Sequence, residues 1–480
     1  MKTEYSYKLT FIYLIMKNSL RSLFIVLLFS SCNSKTVKQF DLIITNATIV
    51  DVLGDTLHNS QLIAISNDTI RLVDSMSNVD KYKADITLDA ENKFVMPGLW
   101  DNHVHFRGGD TLIEENKKLL PLFLAYGITN IRDAGGDLTP SVLKWKQQIS
   151  NKELDGPTIF TSGPKLDGIK PAWPGSLIVD STEDVKTALD SLESLHVDYV
   201  KMYDGSLKKD VFYEIIKQAE SRGLKTTGHM PLSADILTAT ALGLDGTEHM
   251  YYLIKAGSPL ADSLTQTNPT YGMFPKIVES YDPKLGETVF RKLAEQNAFI
   301  TPTLHIGKVL LELTEVDHKD DSLLKYVGQG IQKTYQGRVN TAKKAKSEGN
   351  NSRSQLGQLA KDMIVPLYKS GVKVLAGSDS GAFNSFVYPG ESLHLELQSL
   401  VAAGLTPQQA LITSIINGPE FFGLREFYGG IAKNKIANLV ILDKNPLEDI
   451  NNLTNINATI IKGKVYAKKM LDTMLKDLKQ

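Results

Sequence analysis

The sequence predicts an α/β protein, a (β/α)8 TIM-type barrel with a small β-sandwich domain formed by both chain ends. Three observations lead there. From Gly98 to about Leu424, short apolar runs alternate with helix-patterned stretches, the arrangement of βα units and a parallel sheet. On either side of that region the chain turns to β-rich segments separated by Asn, Asp and Gly, and each set alone is too small to bury a core. Finally, metal-capable side chains close several of the apolar runs, at the strand ends where a barrel of this type gathers its functional groups.

Composition is compatible with this. The 480 residues are 42% hydrophobic and 22% charged, with a formal net charge of -1. A near-neutral chain without a basic, aromatic-interleaved stripe gives no electrostatic basis for nucleic-acid binding.

At the N-terminus, Lys17 and Arg21 precede the apolar run Leu23 to Phe29, followed by Ser30-Ser31-Cys32. That is a charged region, a short hydrophobic region and small residues before a cysteine. It resembles a bacterial lipoprotein signal over residues 1–32, with Phe29 where the pattern usually has Leu, and the alternative is a buried apolar helix. Met16-Lys17-Asn18 makes a more ordinary start than Met1. The resemblance implies that Cys32, the only cysteine, is acylated and that the protein is lipid-anchored in the bacterial cell envelope, on the periplasmic or outer-surface side.

The next elements are strands at Leu42–Thr45, Thr48–Asp51, Leu62–Ile65, Ile70–Val73 and Ile86–Leu88. Similar material returns at Leu439–Asp443 and from Ala458 to Tyr466, which assigns 33–97 plus 428–480 to the small domain and 98–427 to the barrel. Within the barrel, eight strands end near His105, Ala134, Ser162, Tyr203, His229, His249, Leu304 and Asp379, with the clearest helices at Asp210–Gly223 and Ser392–Gly404. Two long insertions, 256–292 and 306–368, interrupt the count, and loops of that length over a barrel mouth serve as lids or solvated embellishments.

The chemistry centres on Val95-Met96-Pro97-Gly98-Leu99-Trp100-Asp101-Asn102-His103-Val104-His105. On a strand, histidines at i and i+2 share one face, and neutral imidazoles suit a borderline-soft dication such as zinc. Partners close four later strands: Lys201, His229, His249 and Asp379. Each alone reads as a satisfied core or surface residue, but together they fit a binuclear site.

These motifs, in this order, resemble the metal-dependent amidohydrolase superfamily. The likeness extends through Gly404–Leu411 and the segment from Gly430 to Leu447, where Asn434 and Asn438 stand in place of the family's usual Gly and Asp. Leu232 occupies the position where deaminase-type members carry Glu, and Lys201 is present, so the chain looks more like the imidazolonepropionase-related branch that includes Xaa-Pro dipeptidases.

The resemblance implies two divalent metal ions, zinc foremost, with His103, His105 and Asp379 on the buried metal and His229 and His249 on the exposed one. It also implies that Lys201 is carbamylated, since an ordinary lysine with pKa about 10.4 is a cation. A metal-bridging hydroxide would attack the carbonyl, with Asp379 as the catalytic proton carrier.

The expected reaction is hydrolysis of an amide or other C–N bond in a small, dipeptide-like substrate. Alternatives are a mononuclear cyclic-amide hydrolase or deaminase, and a non-catalytic binding lipoprotein. Tyr203 is expected to meet a substrate carboxylate or serve as a structural hydroxyl, and Arg132 to pair with Asp133 or a neighbour rather than with substrate. His305 is expected behind the site or at the surface, and Trp173 as a pocket wall or a loop anchor.

Overall fold

Leu42–Thr45 and Thr48–Asp51 form one strand, β1 (Lys38–Asp51), rather than two. Asn46, at φ 50°, and register shifts on both sides of Ala47 make a bulge that bends the strand without ending it. β2 (Thr56–Ser66) runs antiparallel along one edge of β1, and β3 (Thr69–Ser75) continues the sheet. Along the other edge, the first part of β1 takes β4 (Tyr82–Asp89) and the last part takes β5 (Phe94–Pro97), both parallel. The bend is what lets one strand serve two neighbours. This computed structural model describes residues 38–347 and 353–479, so the expected leader and Cys32 lie outside the described residues. Among the described residues, no helix is long and apolar enough to cross a membrane.

The barrel strands follow. β6 (Leu99–His105) and β7 (Ile128–Asp133) are buried at every position, as strands covered on both faces must be. β8 (Thr158–Thr161) completes the first parallel arc. The second contains β9 (Leu166–Asp167), β10 (Leu177–Ile178), β11 (Val200–Met202) and β12 (Thr226–Gly228). The third contains β13 (Gly246–Glu248), β14 (Phe299–Thr301) and β15 (Lys373–Val374), while β16 (Ser380–Gly381) lies back on β6.

Backbone hydrogen bonds join the arcs. Asp198 N–H donates to Thr161 O (2.8 Å), Asp245 N–H to Thr226 O (3.2 Å), and Asn102 N–H to Ala376 O (3.0 Å). The result is an α/β fold of TIM-barrel type. The eighth strand is regular only at Lys373–Val374, and beyond it Ala376 O accepts from both the N–H and the Nδ2 of Asn102.

Outer helices have the expected apolar stripes. Thr182–Ser194 buries Val185, Ala188, Leu189 and Leu192, and the Ser181 hydroxyl accepts from Asp184 N–H at its start. Lys209–Ser221 buries Val211, Phe212, Ile215, Ile216 and Ala219 on one face. The insertions are largely helical, as at Pro283–Glu295 and Gln329–Ser347.

The chain returns through β17 (Leu439–Leu442), β18 (Ile456–Ile461) and β19 (Lys464–Ala467). β17 pairs antiparallel with β5, so both chain ends build one eight-stranded sheet. Where a sandwich was expected, the hydrogen bonding is continuous: β1 bends, and Leu42, Ile44 and Ile63 share a core with Leu439, Ile441 and Ile460 of the other wing. Asn434 adopts φ 73°, a conformation open to glycine and tolerated by asparagine, which explains the exchange there. Asn438 links sheet to barrel, accepting from Lys462 N–H at Oδ1 while its carbonyl accepts from Gly98 N–H.

Candidate active site

His103 and His105 lie on the same face of β6, as their spacing requires, and both are buried. Each ring is held from behind at Nδ1. His103 Nδ1 lies 2.6 Å from Glu248 Oε2 and His105 Nδ1 3.1 Å from Gly135 O. Both partners are acceptors, so both Nδ1 atoms carry the hydrogen and both Nε2 atoms present lone pairs.

Those two Nε2 atoms are only 3.2 Å apart, and Asp379 Oδ1 is 3.5 Å from one and 3.2 Å from the other. Three electron-rich atoms this close repel one another unless a cation lies among them. The donor set therefore fits a divalent metal, and its ligand atoms all lie within 4.8 Å of one another. Burial lowers the pKa of both histidines, with Arg107 adding to the effect at His105, which keeps the imidazoles in the neutral form that binds metal.

The other expected residues converge on the same place. His249 follows β13 with its Nε2 3.9 Å from Asp379 Oδ2, and its ring centroid is 5.4 Å from that of His103. His229 follows β12, 4.9 Å from His249 between centroids, and its Nδ1 faces Asp204 Oδ1 at 3.4 Å. Asp204 also accepts from Tyr271 at 2.6 Å, so it is held in place beside His229.

Lys201, on β11, is fully buried, with its Nζ 3.4 Å from Glu248 Oε1 and lacking a hydrogen-bond partner among the described residues. Burial pulls its pKa down to about 8 against the opposing effect of Glu248. A lysine in that state offers far more free amine near neutrality than an exposed one does.

Two of these residues have strained backbones. His249 sits at φ 64° and Asp379 at φ 57°, in the left-handed region. At His249 the turn interrupts strand alternation, so that the adjacent Glu248 and His249 both reach the site. At Asp379, the turn is pinned because Ser378 donates to Asp101 from both N–H (2.9 Å) and Oγ (2.6 Å).

Glu248 is the residue that sequence reasoning missed. It accepts from His103, from Arg132 (3.0 and 3.1 Å) and from Thr227 (2.9 Å), all inside the core. Burial pushes its carboxyl pKa up, but Arg132, Lys201 and His103 outweigh this and hold it well below the usual range. Arg132 is thus in an ion pair, but with Glu248 rather than Asp133, because strand alternation points Asp133 to the other side, where it accepts from Thr161. The Arg132 Nε also donates to Asn102 O at 2.5 Å, which ties it into the barrel interior.

The Tyr203 ring packs at a tilt of 31° against that of His229, with centroids 4.3 Å apart. Trp173 packs edge-on to Tyr203, which makes it a wall of the site. His305 does not end a strand: it lies in the first turn of the helix Leu304–Glu312, where its N–H donates to Glu396.

A TIM-barrel-type fold with a buried histidine and aspartate cluster at the carboxyl ends of its strands defines a class of metal-site barrels. The profile of the amidohydrolase family matches residues 94–466. The chain belongs to the amidohydrolase family, hydrolases of carbon–nitrogen bonds.

Among its relatives, it is 22% identical over 454 residues to an ochratoxinase of Aspergillus niger, covering 83% of this chain and 80% of the relative. It is 23% identical over 427 residues to a 5-methylthioadenosine/S-adenosylhomocysteine deaminase of Acetivibrio thermocellus, covering 85% of each. In fold it is similar to bottromycin amidohydrolase (TM-score 0.71, 18% identity, 91% of this chain and 90% of the other). It is also similar to a Xaa-Pro dipeptidase with bound methionine (TM-score 0.64, 17% identity, 89% of this chain and 99% of the other).

Proposed function

We propose that this protein hydrolyses an amide bond in a small, peptide-like substrate. In this reading His103, His105, Lys201, His229, His249 and Asp379 hold two divalent cations, zinc foremost, and Lys201 serves as a carbamate. The observation that carries it is the convergence of all six side chains at the carboxyl ends of β6, β11, β12 and β13 and beside β16. When bound, two such cations supply Lewis acidity at the scissile carbonyl and a water that ionises at neutral pH.

The chain's own residues do the rest. Glu248 and Gly135 O fix the two β6 imidazoles with Nε2 toward the centre. Asn384 Nδ2 donates to Asp379 Oδ1 at 2.7 Å, which orients that carboxylate toward His105. Asp379 in this position takes the proton of the attacking water and returns it to the departing nitrogen. The buried, poorly solvated amine of Lys201 supports carbamylation, because carbon dioxide reacts with the neutral amine.

The compact His103–His105–Asp379 group also supports a mononuclear reading, a cyclic-amide hydrolase or deaminase. One assay separates the two. Metal-replete protein is offered dipeptides, N-acyl amino acids, cyclic amides and aminopurines, and both amine and ammonia are measured. Amine release from dipeptides or N-acyl amino acids is expected. Ammonia release from aminopurines, or turnover of cyclic amides alone, would contradict the proposal.

A further inference from the structure

The loop after the eighth strand is strained and is braced by an insertion. Besides Asp379, two bulky residues of that loop, Phe383 at φ 70° and Phe386 at φ 61°, lie in the left-handed region. Such backbones persist only where their surroundings over-determine them. Here the surroundings include the helix Gln329–Ser347, from the second long insertion. Thr334 Oγ1 accepts from Phe383 N–H at 2.8 Å, Tyr335 O accepts from Ser385 Oγ at 2.9 Å, and Arg338 Nη1 donates to Phe383 O at 3.0 Å. Thr334 and Arg338, four residues apart, share one helix face. The start of that helix is fixed in turn by Glu115, which stands in the helix Ile113–Lys118 after β6 and accepts from Gly330 N–H (3.0 Å) and Ile331 N–H (2.8 Å).

One bond of this brace reaches the site. Arg338 Nη1 also donates to Asn384 Oδ1 at 2.8 Å, and Asn384, 4% exposed, donates from Nδ2 to both Asp379 O (2.5 Å) and Asp379 Oδ1 (2.7 Å). A guanidinium has donors only, whereas a side-chain amide has one oxygen that accepts and one nitrogen that donates. Arg338 therefore claims the oxygen and leaves the nitrogen for Asp379. With the amide turned over, its oxygen would face two acceptors of Asp379 and be repelled by both. The clamp also divides the Asp379 carboxylate: Oδ1 is held 3.2 Å from His105 Nε2, and Oδ2 is left facing His249 Nε2 at 3.9 Å.

We propose that Arg338 is a positioning residue of this site, which sets the orientation of the Asp379 carboxylate by fixing the amide of Asn384. The insertion that carries Arg338 is then part of the active-site scaffold and not a solvated embellishment. This rests on the reading of Asp379 as ligand and proton carrier, but it can be tested without turnover. Zinc affinity is measured by competition with a chelator in wild type, Arg338→Ala, Asn384→Ala and the double variant, each with and without guanidinium at a non-denaturing concentration.

Each single variant should bind zinc about 10–100-fold more weakly than wild type. Guanidinium, seated in the gap left by the missing side chain, should restore most of the loss in Arg338→Ala and none in Asn384→Ala. The double variant should be no weaker than Asn384→Ala, because Arg338 acts through that amide. Arg338→Met keeps the apolar stem, and its zinc affinity decides the matter if Arg338→Ala fails to fold. Unchanged zinc affinity in Arg338→Ala or Arg338→Met, or losses that simply add in the double variant, overturns the proposal. On a dipeptide that the wild type cleaves, kcat should fall at least about tenfold in Arg338→Ala with KM within about twofold. Cleavage with unchanged kcat and zinc affinity in Arg338→Ala refutes the positioning role and leaves the hydrolase, whereas the expected zinc pattern without cleavage of any amide refutes the hydrolase and leaves the positioning role.

Discussion

Glu248 shows how a residue can decide a site without being visible in the sequence. His103, His105, Lys201, His229, His249 and Asp379 were legible because each closes an apolar run in chain order. Glu248 closes one too, but next to His249, and alternation would send the two side chains to opposite faces. The left-handed turn at His249 defeats that rule, and the contact between Glu248 and His103 spans 145 residues, so only barrel closure creates it. Glu248→Gln should destabilise the fold by about 3–5 kcal/mol in urea titration, because it leaves Arg132 as an uncompensated buried cation. It should also weaken metal binding by about 10–100-fold in competition with a chelator, because the tautomer of His103 is no longer fixed. Lost stability with unchanged metal affinity would reduce Glu248 to a structural role.

At the scale of the element, the positions that matter are those where strands approach most closely. The short strands β11 and β12 pair at only three positions, Val200 with Thr226, Lys201 with Thr227 and Met202 with Gly228. Gly228 stands at φ 146°, and a Cβ there would come within 2.2 Å of Met202 O, a backbone atom that cannot yield cheaply. It also adjoins His229, so displacing it moves a candidate ligand. Gly223, at φ 70°, meets nothing within 4 Å of a Cβ. Gly223→Ala should therefore lose only about 1 kcal/mol with metal binding intact, and Gly228→Ala at least about 2 kcal/mol with metal affinity reduced. Equal losses in urea unfolding would show that the approach of β12 to β11 does not position the site. The strand pattern was largely legible because β6, β7 and β14 are continuous buried runs. The bend of β1 was not, because the bulge beside Asn46 is set by pairing with strands that follow it in the chain.

Across the whole molecule, the barrel and the sheet shared by both chain ends act as a frame that forces neutral imidazoles and a carboxylate into mutual repulsion. Alternating βα texture and β-rich ends were enough to read that frame, whereas the continuity of the sheet depended on β5 pairing with β17 across the chain. We propose that this frame would hold two metal ions, with Lys201 among the residues that hold them. It is tested most directly by counting metal per chain, by elemental analysis, in wild type and Lys201→Ala, each loaded with zinc in the presence of bicarbonate. Two ions per chain in the wild type, falling to one or fewer in the variant with loss of most activity, is the predicted result. One ion per chain in both proteins, with full turnover in Lys201→Ala, would contradict it.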